Sequence, residues 1–193
     1  REGIGMTKGC LVAGGGAVLL EIAVGLMAMG MWNGIVSKDE ACNKAWGNVE
    51  SSLQRRFDLI PNLVNTVKGY AGHEKGILEE ITRLRSQWGE AKTPSEKVDA
   101  ASGLEGALSR LMVVVENYPD LKANQNFIAL QDELAGTENR INVERQRYNE
   151  SVQAYNVTIR QMPTALVAGL KGFVPRTPFE AAQGAETAPT VQF

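Results

Sequence analysis

Residues 10–32 read CLVAGGGAVLLEIAVGLMAMGMW, and this stretch decides the class of the chain. It runs for 23 residues with a single charged side chain, Glu21. As a helix rising 1.5 Å per residue it covers ~34 Å, enough for a hydrocarbon core of ~30 Å. It is too long for the apolar region of an ordinary secretion signal, and no A-x-A cleavage pattern follows it. Trp32 stands where an interfacial aromatic would anchor such a helix. The expectation is a transmembrane helix over 10–32, preceded by a short N-terminal segment over 1–9.

Glu21 lies near the middle of that helix. An ionised carboxylate in hydrocarbon costs a few kcal/mol, so it should face a partner or water. Ala13, Ala17, Glu21 and Gly25 follow one another at steps of four and share one face. Small side chains in such a row let membrane helices approach closely. Two readings follow. Glu21 lines a proton or ion path, as in a transport or sensing accessory, or it bonds across subunits in an association contact. The second asks less of the sequence and is the one adopted. Arg1 and Lys8 before the helix balance Lys38 and Lys44 after it, so flanking charge does not orient it.

The remaining sequence reads as helix after helix. Trp46, Val49, Leu53 and Phe57 recur at three- and four-residue steps, so the first helix is expected to continue from the membrane segment to about Asp58. Pro61 then reads as an end, a kink or a restart, with a second helix from about Pro61 to Trp88 burying Ile60, Leu63, Val64, Val67, Tyr70, Ile77, Ile81, Leu84 and Trp88. Thr93-Pro94-Ser95-Glu96 is a helix start: a capping threonine, a first-turn proline and a glutamate at the third position. That third helix should end before Tyr118-Pro119-Asp120. A fourth, from about Asn124 to Met162, carries Phe127, Leu130, Leu134, Thr137, Ile141, Tyr148, Val152, Tyr155 and Ile159 at near-heptad spacing, a coiled-coil-like seam. Pro163 stops it. The predicted fold is all-α: a transmembrane helix over 10–32, an elongated antiparallel up-down bundle of about four long helices over 33–162, and a proline-rich, partly extended tail over 163–193 docking on the bundle. Within that tail, Thr164 to Gly172 reads as a short helix.

Composition narrows the function. A formal net charge of -2 gives no electrostatic footprint for nucleic acid. The two cysteines, Cys10 and Cys42, lie too far apart on one helix to bridge, and with the lone His73 they do not make an ordinary zinc site. His73-Glu74 resembles half of an acid–base pair, but Ile77 stands where the second histidine of a zinc-protease motif would be. Glu133, Glu138 and Glu144 lack the Glu-x-x-His partners of a di-iron bundle. Gly14-Gly15-Gly16 lies inside the apolar stretch and does not read as a phosphate loop. No catalytic, metal or cofactor site is expected. Lys38, Lys44, Arg55 and Arg56 are candidate contacts to lipid headgroups. For the two arginines, ordinary ion pairing at helical spacing is the simpler alternative.

Three further stretches carry a resemblance: WNGIVSKDEACNKAWGNVE from Trp32, LQRRFDLIPNLVNTVKGYAGHE from Leu53, and NYPDLKANQNFIALQDELAGTENRINVERQRYNESVQAYN from Asn117, with PRTPFEAA and TVQF in the tail. Together they closely resemble the LemA family over nearly everything from Trp32 to Phe193. Trp32 stands where a tyrosine is usual, Gln161-Met162 replaces a more usual aromatic before Pro163, and Glu21 is an uncommon addition to the membrane helix. The resemblance implies a bacterial inner-membrane protein crossing once, with its helical domain in the cytoplasm and no enzymatic activity to carry over. The partners expected are the lipid bilayer, further copies of the chain in a homo-oligomer, and an unidentified protein. The function expected is that of a non-enzymatic scaffold that self-associates through its membrane helix and bundle.

Overall fold

A computed structural model describes residues 3–179, with side chains at residue 16 and from residue 18 onward. Every element in it is helical: α1 Gly3–Lys68, α2 Lys75–Glu90, α3 Pro94–Val115, α4 Pro119–Lys122, α5 Gln125–Arg160 and α6 Thr164–Lys171. The all-α class follows. The chain groups into two units, Arg1–Ala45 with Tyr148–Pro178, and Trp46–Arg147 with Phe179–Phe193. Residues 180–193 of the expected tail lie outside the described residues.

The second unit is an up-down helical bundle, built because each helix carries one apolar stripe. α1 contributes Val49, Leu53, Phe57, Ile60, Leu63, Val64 and Val67, all buried. α2 contributes Leu78, Ile81, Leu84 and Trp88, and α3 Leu104, Leu108, Leu111 and Val115. α5 adds Phe127, Leu134 and Ile141. The antiparallel order is fixed by side-chain pairs. The Trp88 indole N–H donates to Gln54 Oε1 at 2.9 Å, Arg110 pairs with Glu80 at 2.8 Å, and Asn124 donates to the Tyr70 hydroxyl at 2.8 Å. Phe57 stacks on Trp88 with ring centroids 4.6 Å apart. Burying such a side chain is worth about 1.5–3 kcal/mol.

Helix starts follow local chemistry. Thr93 Oγ1 accepts from the Glu96 N–H, and Glu96 Oε2 accepts from the Thr93 N–H, so the expected capping box opens α3. Asn124 Oδ1 accepts from the N–H groups of Asn126 and Phe127 and opens α5.

One boundary differs from expectation. Pro61 does not break the first helix; α1 passes through it to Lys68. An interior proline costs about 3 kcal/mol, but Ile60, Leu63, Val64 and Val67 are buried on either side of it, and packing holds the helix. The break falls instead at residues 69–74, where Gly69 and Gly72 weaken the helix and the Ala71 N–H closes the end on Val67 O at 2.8 Å. Tyr70, in that break, is exposed rather than part of the buried face.

In the first unit, Ile35 and Cys42 of α1 and Val152, Tyr155 and Ile159 of α5 are buried. The expected short helix after Pro163 is present as α6. It ends at Gly172, whose φ of 73° is left-handed and suits only glycine without strain, and the Phe173 N–H returns to Ala168 O at 3.1 Å.

Candidate functional site

The first unit presents an apolar surface with no partner among the described residues. Val18, Leu19, Leu20, Ile22, Val24, Leu26, Met27 and Met29 are each more than half exposed. At 100° per residue these eight positions cover about two thirds of the circumference, leaving one gap of about 120° in which Glu21 and Gly25 lie. A water-facing helix buries a stripe; one apolar over most of its circumference belongs in a core or in lipid. Within Val18–Lys68 the helix is long and apolar enough to cross a membrane, and almost none of that apolar window is buried.

Glu21 stands on this helix, exposed. No side-chain atom lies within 4 Å of the space a Cβ at Gly25 would fill, so the face they share is open. The side chains of Ala13 and Ala17, which sequence spacing puts on the same face, lie outside the described residues. So does that of Cys10.

Where the apolar stretch ends, the chain changes character. Trp32 is half-buried against Phe173, with ring centroids 5.1 Å apart, and the Lys171 ammonium lies 5.1 Å from the Trp32 ring. Lys38 and Lys44 follow on α1, both exposed. Asp39 and Asn43, between them, hold Arg176: its Nε donates to Asp39 Oδ1 at 2.8 Å and its second terminal nitrogen to Asn43 Oδ1 at 2.7 Å. Three residues of α5 grip the backbone around it. Tyr155 donates to Val174 O at 3.1 Å and Tyr148 to Thr177 O at 3.3 Å. Asn156 both donates to Arg176 O, at 2.8 Å, and accepts from its N–H, at 2.9 Å. Burial pushes both tyrosine hydroxyls and the Cys42 thiol above their ordinary pKa values, opposed in each case by the Arg176 charge, so the thiol is a poor nucleophile.

Sequence reading did not single out Arg176. The signal available was an arginine set between Pro175 and Pro178, within the PRTPFEAA stretch that carries the resemblance.

The second unit holds a partly buried charge cluster. Arg56 is buried and pairs with Glu138; Arg55, one residue earlier, is exposed and meets Glu133 at 3.1 Å. Arg145 lies 3.9 Å from Glu105 and 4.4 Å from the Phe179 ring centroid. Burial lowers its pKa, opposed by Glu105 and Glu138. A groove of about 420 Å³ runs beside Arg56, Glu105, Met112, Gln131 and Glu138. His73 is exposed, while Glu74 accepts a 3.0 Å bond from Tyr118, whose own pKa that bond raises. Among the described residues, no three His, Cys, Asp or Glu side chains are gathered as a metal would need. Of the four basic candidates, Lys38 and Lys44 share one exposed stretch, Arg55 is exposed but paired, and Arg56 is committed to Glu138.

Comparison with known proteins sets this geometry in a family. A sequence model described as the LemA family matches residues 45–193. Magnetosome protein MamQ of Magnetospirillum gryphiswaldense is 26% identical over 83% of this chain and 71% of its own length. Magnetosome protein MamQ 2 of Paramagnetospirillum magneticum is 27% identical over 90% of this chain and 72% of its own. Protein LemA of Metamycoplasma hominis is 24% identical over 72% of this chain and 64% of its own.

Proposed function

The chain belongs to the LemA family, and from that premise we propose that it is a membrane-anchored structural protein that assembles with its own copies and catalyses nothing. The observation that carries this reading is the helix exposed round its whole circumference from Val18 to Met29. Acyl chains would cover most of that surface. The face bearing Glu21 and Gly25, extended in sequence by Ala13 and Ala17, is the one suited to a second copy, because small residues admit a close approach. Glu21 then bonds across subunits instead of meeting lipid.

Lys38 and Lys44 would meet anionic headgroups, and Arg55 could join them by exchanging Glu133 for phosphate. The family resemblance supports placement in a bacterial inner membrane with the bundle in the cytoplasm. Neither the MamQ nor the LemA name states a reaction.

The test is particle mass in mild detergent for the full chain, for Glu21→Leu and for a chain starting at Asn33. A defined oligomer that shrinks in both variants is the expected result. Equal masses for all three would remove the membrane helix from assembly. A second reading, a transport or sensing accessory, draws on the same Glu21, which is exposed with no partner among the described residues. It requires a proton or ion flux in liposomes that Glu21→Gln abolishes, and absence of flux dismisses it.

A further inference from the structure

α6 buries Ala168 and turns the opposite face outward. Leu170 is 86% exposed and Leu166, one turn earlier, 61%. Met162 before the helix and Val174 after it are each 69% exposed. These four residues surround a helix of eight, far too short to cross a bilayer and too apolar on one side to be at ease in water.

Its position in the unit says what covers it. The C-terminal end of α6 is fixed to Trp32, through the Phe173 ring and the Lys171 ammonium. Trp32 closes the exposed apolar stretch of α1. Amphipathic rings such as Trp32 settle at the headgroup level, and lysines next to them extend their charge toward water while the stem stays in apolar surroundings. The C-terminal end of α6, with its exposed face, therefore stands beside the end of the surface that the anchor presents to lipid.

We propose that α6 is an interfacial helix: Leu166 and Leu170 enter the boundary between headgroups and acyl chains beside the anchor, and Lys171 meets the phosphates. This rests on the membrane-anchored reading above. Such helices lie in the plane of the interface with the apolar face sunk ~5–10 Å. The occupant is the bilayer, not a second protein, because the helix is fixed at Trp32, where the anchor's own lipid-facing surface ends, and its apolar face is flanked by a cation.

The experiment uses the full chain in lipid nanodiscs, with Cys10→Ser and Cys42→Ala and one new cysteine carrying an environment-sensitive fluorophore. Three positions are compared: Leu170→Cys on α6, Met29→Cys on the anchor, and Val113→Cys, exposed on α3. Lipids carrying a quencher near the headgroup, or deep in the chain, report depth. The expected result is a blue-shifted Leu170 label that loses most of its emission to the shallow quencher and little to the deep one, with the Val113 label unaffected by either. A Leu170 label that stays water-like overturns the proposal. A blue-shifted label that no lipid quencher reaches also overturns it, and assigns the face to a protein. In both cases a quenched Met29 label shows that the anchor itself is in the bilayer, so the two readings fail separately. Leu166→Cys repeats the measurement in case the label at 170 loosens the helix.

Discussion

Two stretches of α1 carry eight large apolar residues each, one in 12 residues and the other in 19, and use them in opposite ways. From Val18 to Met29 the large side chains spread over about two thirds of the circumference and none is buried. From Val49 to Val67 they fall on one stripe, and the stripe is buried nearly completely against α2, α3 and α5. Charge follows the same division. Glu21 stands exposed on the first stretch with no partner among the described residues, whereas Arg56 on the second is buried and answered by Glu138. Distribution around the helix, together with the density of apolar residues, tells which solvent each stretch is made for.

The comparison breaks most readily on stability. Phe57→Ala should cost the bundle about 3–5 kcal/mol, by losing a buried ring and its stacking on Trp88. Leu26→Ala, on the exposed stretch, should stay within about 0.5 kcal/mol in chemical denaturation of the bundle in detergent. Equal losses would mean that the exposed stretch packs on the fold after all. A smaller effect tests the charges. Arg56→Met removes the cation paired with Glu138, and about 2 kcal/mol is expected, below the range for a fully buried pair because Glu138 is partly exposed and Arg145 stays near it. The double change with Glu138→Met should recover most of it. Failure to recover would assign the loss to packing of the arginine stem.

The smallest effect belongs to a boundary that depends on neither solvent. Backbone N–H groups of Lys92 and Thr93 hold the Glu96 carboxyl below its ordinary pKa. A group whose pKa is depressed by folding contributes stability at neutral pH and loses it as acid titrates the folded form. Glu96→Gln should therefore flatten the acid side of the stability–pH curve and leave the alkaline side unchanged, as thermal melts across pH would record.

Much of the fold was legible in the sequence because its signals are local. Thr93-Pro94-Ser95-Glu96 specified the start of α3, and Pro163 with Gly172 bracketed α6. Pro61 misled, because a proline's cost is local while the burial of Ile60, Leu63 and Val64 that outweighs it is set by helices far along the chain. The same reason hid two of the notable arginines. Arg56 looked like half of an ordinary exposed doublet until its Glu138 partner, 82 residues on, was in view. Arg176 meets Asp39 across a separation of 137 residues. The spacing that draws attention to Glu21 is local, and so it could be read directly.

The grip on Arg176 bears on how this protein meets proteases. A trypsin-like enzyme needs the arginine side chain in its pocket and the flanking backbone extended with its carbonyls free. Here Asp39 and Asn43 occupy the guanidinium, and Tyr155, Asn156 and Tyr148 occupy the carbonyls of residues 174, 176 and 177. The segment lies outside the helices and largely at the surface, yet it offers the protease neither handle while the first unit is folded. Cleavage after Arg176 becomes a clock for the opening of that unit, readable on a gel without any label.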